Sequence, residues 1–599
     1  MSGGLRALLP YYRPHGATLA LGLALVVAGN AFMLVTPEFL RRGIDAISRG
    51  GPLRLVAWLA AGIVASAVLG GLARFGMRQS LNGLSRRIEY DIRNVLFRHL
   101  ETLDQAWYHR TPTGDVMARA TNDLAAVRMA AGPAIMYLTD TVSRTVMAVP
   151  LMLRIDAHLT VLGLAPMTLM PLVMVGLGRT IHRRFEAVQE HFATLTTHAH
   201  EVLSGVRVVR AYRQEAAQSR RFALLNAEYV RRNMRLVRAY GAMFPLVTFL
   251  GGLGGALTLW FGSTLVIRGH VTLGDYVAFT TYLVILVWPM IALGWVVNLL
   301  QRAAASMSRI QEILDTRAAI SDPAEPRSLP AATAGRRVEF RDVWYRYQPS
   351  AVGRQPSEAG GRPSGERGWA LEGVSFTAEA GQWVAVVGPT GAGKTTLAEM
   401  VPRLMDPDRG EVLVDGVRVR EVGLADLRRA IGFVPQETFL FSQTVGENVA
   451  MGSDDPRAVV AAARVAQLHD TVEAFPDRYD TMLGERGINL SGGQKQRAAI
   501  ARALARDPDV VILDDALSSV DTSTEAEILR GLKTELAGRT AFVISHRITA
   551  IRDADLIVVL DRGRVVETGK HDELFERRGV YWRLLRRQQL EEGETRAGA

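Results

Sequence analysis

The 599-residue sequence predicts a two-part fold, an all-α membrane domain of six helices followed by an α/β domain built around a phosphate-binding loop. Three observations predict it. Apolar runs close to the ~20 residues needed to cross a bilayer recur six times up to residue 300. After residue 337, short β-rich runs alternate with helical stretches. A glycine-rich loop stands directly between one such run and a helix. The expected division is a membrane domain over residues 1–320, a Pro/Ala-rich linker over 321–336, and a second domain over 337–599.

Composition narrows the function. Hydrophobic residues make up 48% of the chain, high for a soluble enzyme and low for a protein lying wholly in lipid. The net charge of +10 does not predict nucleic-acid binding, because the arginines cluster beside apolar segments and form no single basic face. The absence of cysteine excludes disulfides and thiolate metal sites.

The predicted spans are residues 17–35, 55–72, 135–153, 159–177, 242–267 and 276–300. The first is longer than a signal-peptide core and lacks a convincing cleavage site, so it reads as a retained span. The third carries Asp140 and Arg144, which a helix would set on one face where they can neutralise each other. Six spans place both termini on one side. The arginine-rich segments 78–131 and 179–240 put that side in the cytoplasm, although Arg41, Arg42, Arg49 and Arg54 in the first outer loop run against this rule. Each long inner segment has room for two helices of about 25 residues, some 35–40 Å at ~1.5 Å per residue. Polar turns are expected near their tips, at residues 113–123 and 205–212. Met33, Met147, Met167, Trp260, Trp288 and Trp295 are available to line an apolar cavity, although such residues more often pack between helices.

In the second half, β-rich runs are expected at residues 338–340, 383–387, 510–513 and 541–544, and a Pro/Gly/Ser-rich insertion, residues 349–368, reads as a flexible surface loop. Gly388-Pro389-Thr390-Gly391-Ala392-Gly393-Lys394-Thr395 matches the P-loop pattern between a strand and a helix. Its backbone N–H groups can close around phosphates, Lys394 can neutralise the β and γ oxygens, and the Thr395 hydroxyl can ligate Mg²⁺. Thr396 is counted among the nucleotide-binding residues with them. The apolar run 510–513 ends at Asp514, placed to hold Mg²⁺ opposite Thr395. ATP and Mg²⁺ are the expected cofactors.

Leu490-Ser491-Gly492-Gly493-Gln494 is similar to the signature sequence of ATP-binding cassette (ABC) proteins, and its order after the P-loop and before the acidic strand fits that family. The resemblance extends over nearly the whole chain. It implies a half-transporter of the exporter type, with an exporter-type transmembrane domain and an ABC nucleotide-binding domain. It also implies that two such nucleotide-binding domains stack head to tail, with Ser491, Gly492 and Gly493 on the γ-phosphate held by the partner's P-loop. By the same resemblance Tyr347 stacks on adenine and Gln436 contacts Mg²⁺ and water. Gly484-Glu485-Arg486-Gly487 resembles the exporter loop that touches the coupling helices, which the turns at 113–123 and 205–212 resemble in their position. Asp521 resembles the dimer-contacting carboxylate and His546 the switch histidine.

Asp515 stands where the family usually has a catalytic glutamate. A base one methylene short is displaced by ~1 Å from the attacking water, which can cost on the order of a hundredfold in rate. The run 513–521 resembles one subunit of heterodimeric bacterial multidrug exporters of the Mdl type. The implied function is ATP-driven efflux of hydrophobic or amphipathic compounds across the bacterial cytoplasmic membrane by alternating access, in a heterodimer whose second half supplies the faster site. Lipid or lipopeptide export, and a homodimeric exporter, remain the alternatives, and a nucleotide-gated channel could use the same domains.

Overall fold

The computed structural model describes the chain except residues 1, 333–334, 348–367, 454, 485–486, 488, 521, 546, 548–550 and 598–599. It divides into two compact units, Met1–Glu101 with Gly114–Thr316, and Thr102–Thr113 with Arg317–Ala599.

The first unit is helical throughout. Its long helices are α1 (Gly16–Ser48), α2 (Leu53–Thr102), α3 (Ile135–Ile155), α4 (Ala157–Ser204), α5 (Glu215–Ile267) and α6 (Leu273–Leu314). Among the described residues, four helices are long and apolar enough to cross a membrane: Gly4–Ser48, Leu53–Thr102, Glu215–Ile267 and Leu273–Leu314. The shorter apolar stretch Ala157–Met170 opens α4, and α3 carries the Asp140–Arg144 pair, closed at 2.7 Å on one helical face as the spacing predicts. Leu34, Met152, Leu159, Met167, Phe279 and Leu286 pack into one core across α1, α3, α4 and α6. Met167 is therefore a core residue, whereas Trp260 and Trp288 are exposed and Trp295 lies edge-on to Tyr137 at 5.0 Å.

Two of the four arginines between residues 41 and 54, Arg41 and Arg42, have carboxylate partners within the fold. Arg41 pairs with Glu38 at 3.3 Å and Asp275 at 2.9 Å, and Arg42 with Glu38 at 2.8 Å. Their charge is answered within the fold, which weakens them as topology signals. Asp45 joins the same end of α1 to the start of α6 by accepting from the Thr272 hydroxyl at 2.9 Å and the Gly274 N–H at 3.0 Å.

The tip of the first hairpin differs from the sequence expectation. The expected turn at 113–123 is helical, as Thr113–Ala118 and Arg119–Asp123. The break comes earlier, where α2 ends at Thr102 and a short helix, Gln105–Arg110, follows. Pro112, which lacks an N–H, closes that short helix, while Gly114 keeps a negative φ and breaks nothing. The second tip falls where expected, as the short helix Val206–Ala211 after Gly205.

The second unit is an α/β fold with two sheets. Strands β1 (Val338–Tyr345), β2 (Leu371–Ala378), β4 (Arg409–Val414) and β5 (Val417–Arg418) form an antiparallel sheet in the order β2-β1-β4-β5. The other sheet runs β10-β9-β3-β8-β7-β6, from β3 (Trp383–Val387), β6 (Ile431–Val434), β7 (Val510–Asp514), β8 (Thr540–Ile544), β9 (Leu556–Asp561) and β10 (Arg564–Gly569). Its pairings are parallel except β9 with β10. Every residue of β3, β7 and β8 is buried, as expected for parallel strands covered on both faces. Residues of the expected linker pack on this unit: Arg336 pairs with Asp415 and Asp509 at 2.7 Å each, and Asp322 accepts from the Leu424 N–H at 2.6 Å.

Candidate nucleotide site

Strands β3, β8 and β7 are neighbours; the P-loop, Ser545 and Asp515 follow their carboxyl ends, and Asp514 is the last residue of β7. This edge of a parallel sheet is where α/β folds bind ligands.

The P-loop runs from Gly388 to Gly393 and opens helix α7 (Lys394–Met400). Gly393 sits at φ +99°, and a Cβ there would come 2.5 Å from the Ala370 carbonyl oxygen, so only glycine fits. Gly388, Thr390, Gly391 and Ala392 complete the loop. The buried Lys394 donates from Nζ to the carbonyls of Gly388 at 2.9 Å and Pro389 at 3.0 Å. Burial lowers its pKa, and the carboxylates of Asp514 and Asp515 oppose that shift. The ammonium is thus held on the loop by carbonyls that a phosphate can replace.

Asp514 is 1% exposed, and its Oδ2 has no hydrogen-bond partner among the described residues. Burial raises its pKa; a hydrogen bond from Thr395 and the charge of Lys394 counter this, and Asp515 adds to it. An orphaned, buried carboxylate oxygen beside a threonine hydroxyl is a donor set suited to a hard cation. Thr395 and Asp514 therefore fit Mg²⁺, which would be held by these two side chains and would supply positive charge to neutralise the phosphates.

Asp515 is half-buried at φ +48°, a backbone region that Asp tolerates better than most residues. Its N–H donates to the Ile544 carbonyl at 2.9 Å, which ties it to the end of β8. Gln436 is exposed just past β6, the edge strand beside β7.

Ser491 caps helix α8 (Gly492–Leu504) in a reciprocal capping box. Its hydroxyl accepts from the Gln494 backbone N–H at 3.2 Å, and the Gln494 side-chain Oε1 accepts from the Ser491 N–H at 2.9 Å. A Cβ on Gly493 would lie 2.8 Å from the Ser519 carbonyl oxygen. Ser491 and Gly492 are exposed, so the positive end of this helix can face an anion.

Tyr347 is 42% exposed, lies edge-on to Tyr345 at 5.1 Å, and has its hydroxyl 2.8 Å from that of buried Thr396. A ring pinned at its tip with a free face can stack a base. The Thr396 hydroxyl is thereby already engaged by Tyr347. In the same unit, Gln105 donates to Glu399 of α7 at 3.4 Å, so the first hairpin tip and Tyr347 meet the P-loop helix one turn apart. Burial raises the Glu399 pKa, while Gln105 and His109 lower it.

His546, Asp521, Glu485, Arg486 and the 349–367 part of the insertion lie outside the described residues. Three residues that no motif reading singled out surround the segment after Asp515: Gln496, Arg547 and Glu525. The available signal was a glutamine on the buried stripe of α8, one turn before Ala499 and Ile500.

The fold and this edge define a P-loop ATPase domain joined to a helical membrane domain. Residues 19–290 match the ABC transporter transmembrane region and residues 371–518 the ABC transporter family. The chain is 34% identical to the probable multidrug resistance ABC transporter ATP-binding/permease protein YheI of Bacillus subtilis, over 97% of each chain. It is 33% identical to the multidrug resistance-like ATP-binding protein MdlA of Escherichia coli, over 97% of this chain and 96% of that one. It is also 33% identical to the ATP-dependent lipid A-core flippase of Syntrophus aciditrophicus, over 99% and 95%. The solved structure of a bacterial Atm1-family ABC exporter with ATP bound superposes with a TM-score of 0.75 at 28% identity, covering 96% of this chain and 98% of that one. The chain belongs to the ABC exporters, membrane proteins that couple ATP hydrolysis to transport.

Proposed function

We propose that this chain is one half of a heterodimeric, multidrug-type exporter of the bacterial cytoplasmic membrane, with both termini and the nucleotide-binding domain in the cytoplasm. Closure of paired nucleotide domains on ATP would turn the helices outward, and hydrolysis would reset them. Lys394 and the P-loop amides would bind the triphosphate, Thr395, Asp514 and Gln436 would hold Mg²⁺, Tyr347 would stack the base, and His546 would meet the γ-phosphate. The Ser491–Gly493 turn would complete the partner's site.

One observation carries the heterodimer: Asp515, at the end of β7, has the shorter carboxylate where a base must reach water. A reach shortened by ~1 Å makes this chain's own ATP site the slow one. The test is steady-state ATPase of the chain alone in nanodiscs beside Asp515→Glu. The expected result is turnover raised by about tenfold or more in the variant, or on adding a second half-transporter. Robust turnover by a wild-type homodimer overturns it.

The similarity to a lipid A-core flippase supports a second reading, export of a lipid or lipopeptide. Stimulation of ATPase by dyes and not by lipids favours the drug substrate, and the reverse favours the lipid.

A further inference from the structure

The turns that join α1 to α2, α3 to α4 and α5 to α6 lie at one end of the helical unit. Asp45 of α1 accepts from Thr272 and Gly274 at the start of α6. A Cβ added to Gly262 of α5 would lie 2.8 Å from the Tyr276 ring of α6 and 3.7 Å from the Leu159 side chain of α4. In the orientation proposed above, this is the outer end of the protein.

Residues 36–56, 152–160 and 264–276 bring six arginines and four carboxylates to that end. All four carboxylates are committed inside the fold. Glu38 and Asp275 pair with Arg41 and Arg42. Asp45 holds the start of α6, and Asp156 caps α4 by accepting from the Leu159 N–H at 2.7 Å. Arg49, Arg54, Arg154 and Arg268 are left over. Each is exposed, and none of the four guanidinium groups has an ion-pair or hydrogen-bond partner among the described residues.

Each of the four stands beside an exposed apolar side chain. Leu53 precedes Arg54, Leu153 precedes Arg154, Ile267 precedes Arg268, and Ile47 lies two residues before Arg49. That arrangement suits the edge of a bilayer, where the apolar group meets hydrocarbon and the guanidinium reaches the headgroup layer. Helix dipoles do not account for the whole set. Arg49 and Arg268 cap the C-termini of α1 and α5, and Arg154 lies in the last turn of α3, where a cation is favoured. Arg54 lies in the first turn of α2, where a cation is disfavoured.

We propose that Arg49, Arg54, Arg154 and Arg268 form a belt that binds the phosphate groups of anionic phospholipids in the outer leaflet. A guanidinium meets phosphate with paired N–H groups. Each cation near an anionic membrane surface adds to the attachment, and salt screens it. Surplus positive charge at the outer end runs against the usual bias of membrane proteins, and an acidic outer leaflet offsets it. The inference rests on the reading that the termini are cytoplasmic. It concerns the lipid around the chain and not the cargo, and it is independent of Asp515.

The test follows thermal unfolding of the full-length chain in nanodiscs of phosphatidylcholine, alone or with about one-third phosphatidylglycerol. The wild type is expected to gain about 4 °C or more from phosphatidylglycerol at low salt, and to lose most of that gain in about 1 M salt. The combined variant Arg49→Gln, Arg54→Gln, Arg154→Gln, Arg268→Gln is expected to lose at least about half of the gain. The corresponding four-site lysine variant, which keeps the charge, is expected to retain most of it. Inorganic phosphate at matched ionic strength is expected to give no comparable gain in phosphatidylcholine. An undiminished gain in the folded glutamine variant overturns the belt, as does an equal loss in the lysine variant. A gain from inorganic phosphate as large as that from phosphatidylglycerol overturns the lipid as occupant.

Orientation is read separately. The chain has no cysteine, so Arg49→Cys supplies a single thiol, expected to react with a membrane-impermeant maleimide in intact spheroplasts. Reaction only in inside-out vesicles overturns the orientation, and the outer leaflet with it. Reaction in spheroplasts together with an undiminished gain in the glutamine variant overturns the belt alone.

Discussion

The two units solve opposite solvation problems. In the helical unit, large apolar side chains point outward: Trp58, Phe75, Trp260 and Ile267 are 77%, 71%, 75% and 85% exposed. In the nucleotide-binding unit, the central strands are wholly buried and the exceptional residue is a buried charge, Asp514. In water the first pattern would be an aggregation hazard and the second a large desolvation cost. Hydrocarbon around the helices removes the first, and a cation with phosphate, if held at the sheet edge, would offset the second. Exposed apolar groups suit a lipid-facing surface, and a buried carboxylate with one open oxygen suits a cation site.

Asp514→Asn should break this comparison most strongly. It is expected to lower Mg²⁺-dependent ATPase by at least about a hundredfold in the Asp515→Glu background, where this chain's own site is the one that turns over. In chelator without nucleotide, the same change should stabilise the unit by about 1 kcal/mol, because a neutral amide is cheaper to bury without a partner. The sign follows from the raised pKa: the wild-type carboxyl favours folding when protonated and loses that contribution as pH rises through its folded value. The stability gap between Asn variant and wild type should therefore be widest near neutral pH and close in acid, as followed by denaturant unfolding.

The helical unit gives the next effect. Phe279→Ala, at a fully buried position, should cost about 3–5 kcal/mol in nanodiscs, whereas Trp260→Ala should cost less than about 1 kcal/mol because its ring faces outward. Equal losses in thermal unfolding would mean that Trp260 is covered in the assembly, and would remove it from the lipid-facing set.

The smallest effect is expected at the first hairpin tip. Gln105→Ala removes one long hydrogen bond to Glu399 and should change stability by about 1 kcal/mol or less. The KM for ATP should move less than about threefold while ATP-driven transport falls more. Parallel loss of both would make Gln105 part of nucleotide binding.

The parts of the site legible in the sequence are those where a short stretch carries its own context. Gly388 to Thr395 needs only the strand before it and the helix after it, and Ser491 with Gln494 closes a cap within four residues. The Asp140–Arg144 pair of α3 was legible too, since the two meet at helical spacing, although α3 is not among the four described helices long and apolar enough to cross a membrane. Where partners come from distant segments, the sequence was silent. Gln496 meets Ser518 and Arg547 meets Glu525 only because β7 and β8 are neighbours in the sheet. Arg41 looked like a topology violation until Asp275, far along the chain, was seen to answer it.

By itself the sequence determined that membrane-length helices precede a P-loop α/β domain, and where a phosphate-binding loop would stand between strand and helix, because hydrophobic period and strand–loop–helix punctuation are local properties of the chain. The tertiary structure decided that Thr396 holds Tyr347, that the first hairpin tip lies at Gln105–Arg110, and that Asp514 keeps one oxygen unpartnered among the described residues. Those depend on which distant backbone segments approach within hydrogen-bond range, and on which groups are left without water once they do.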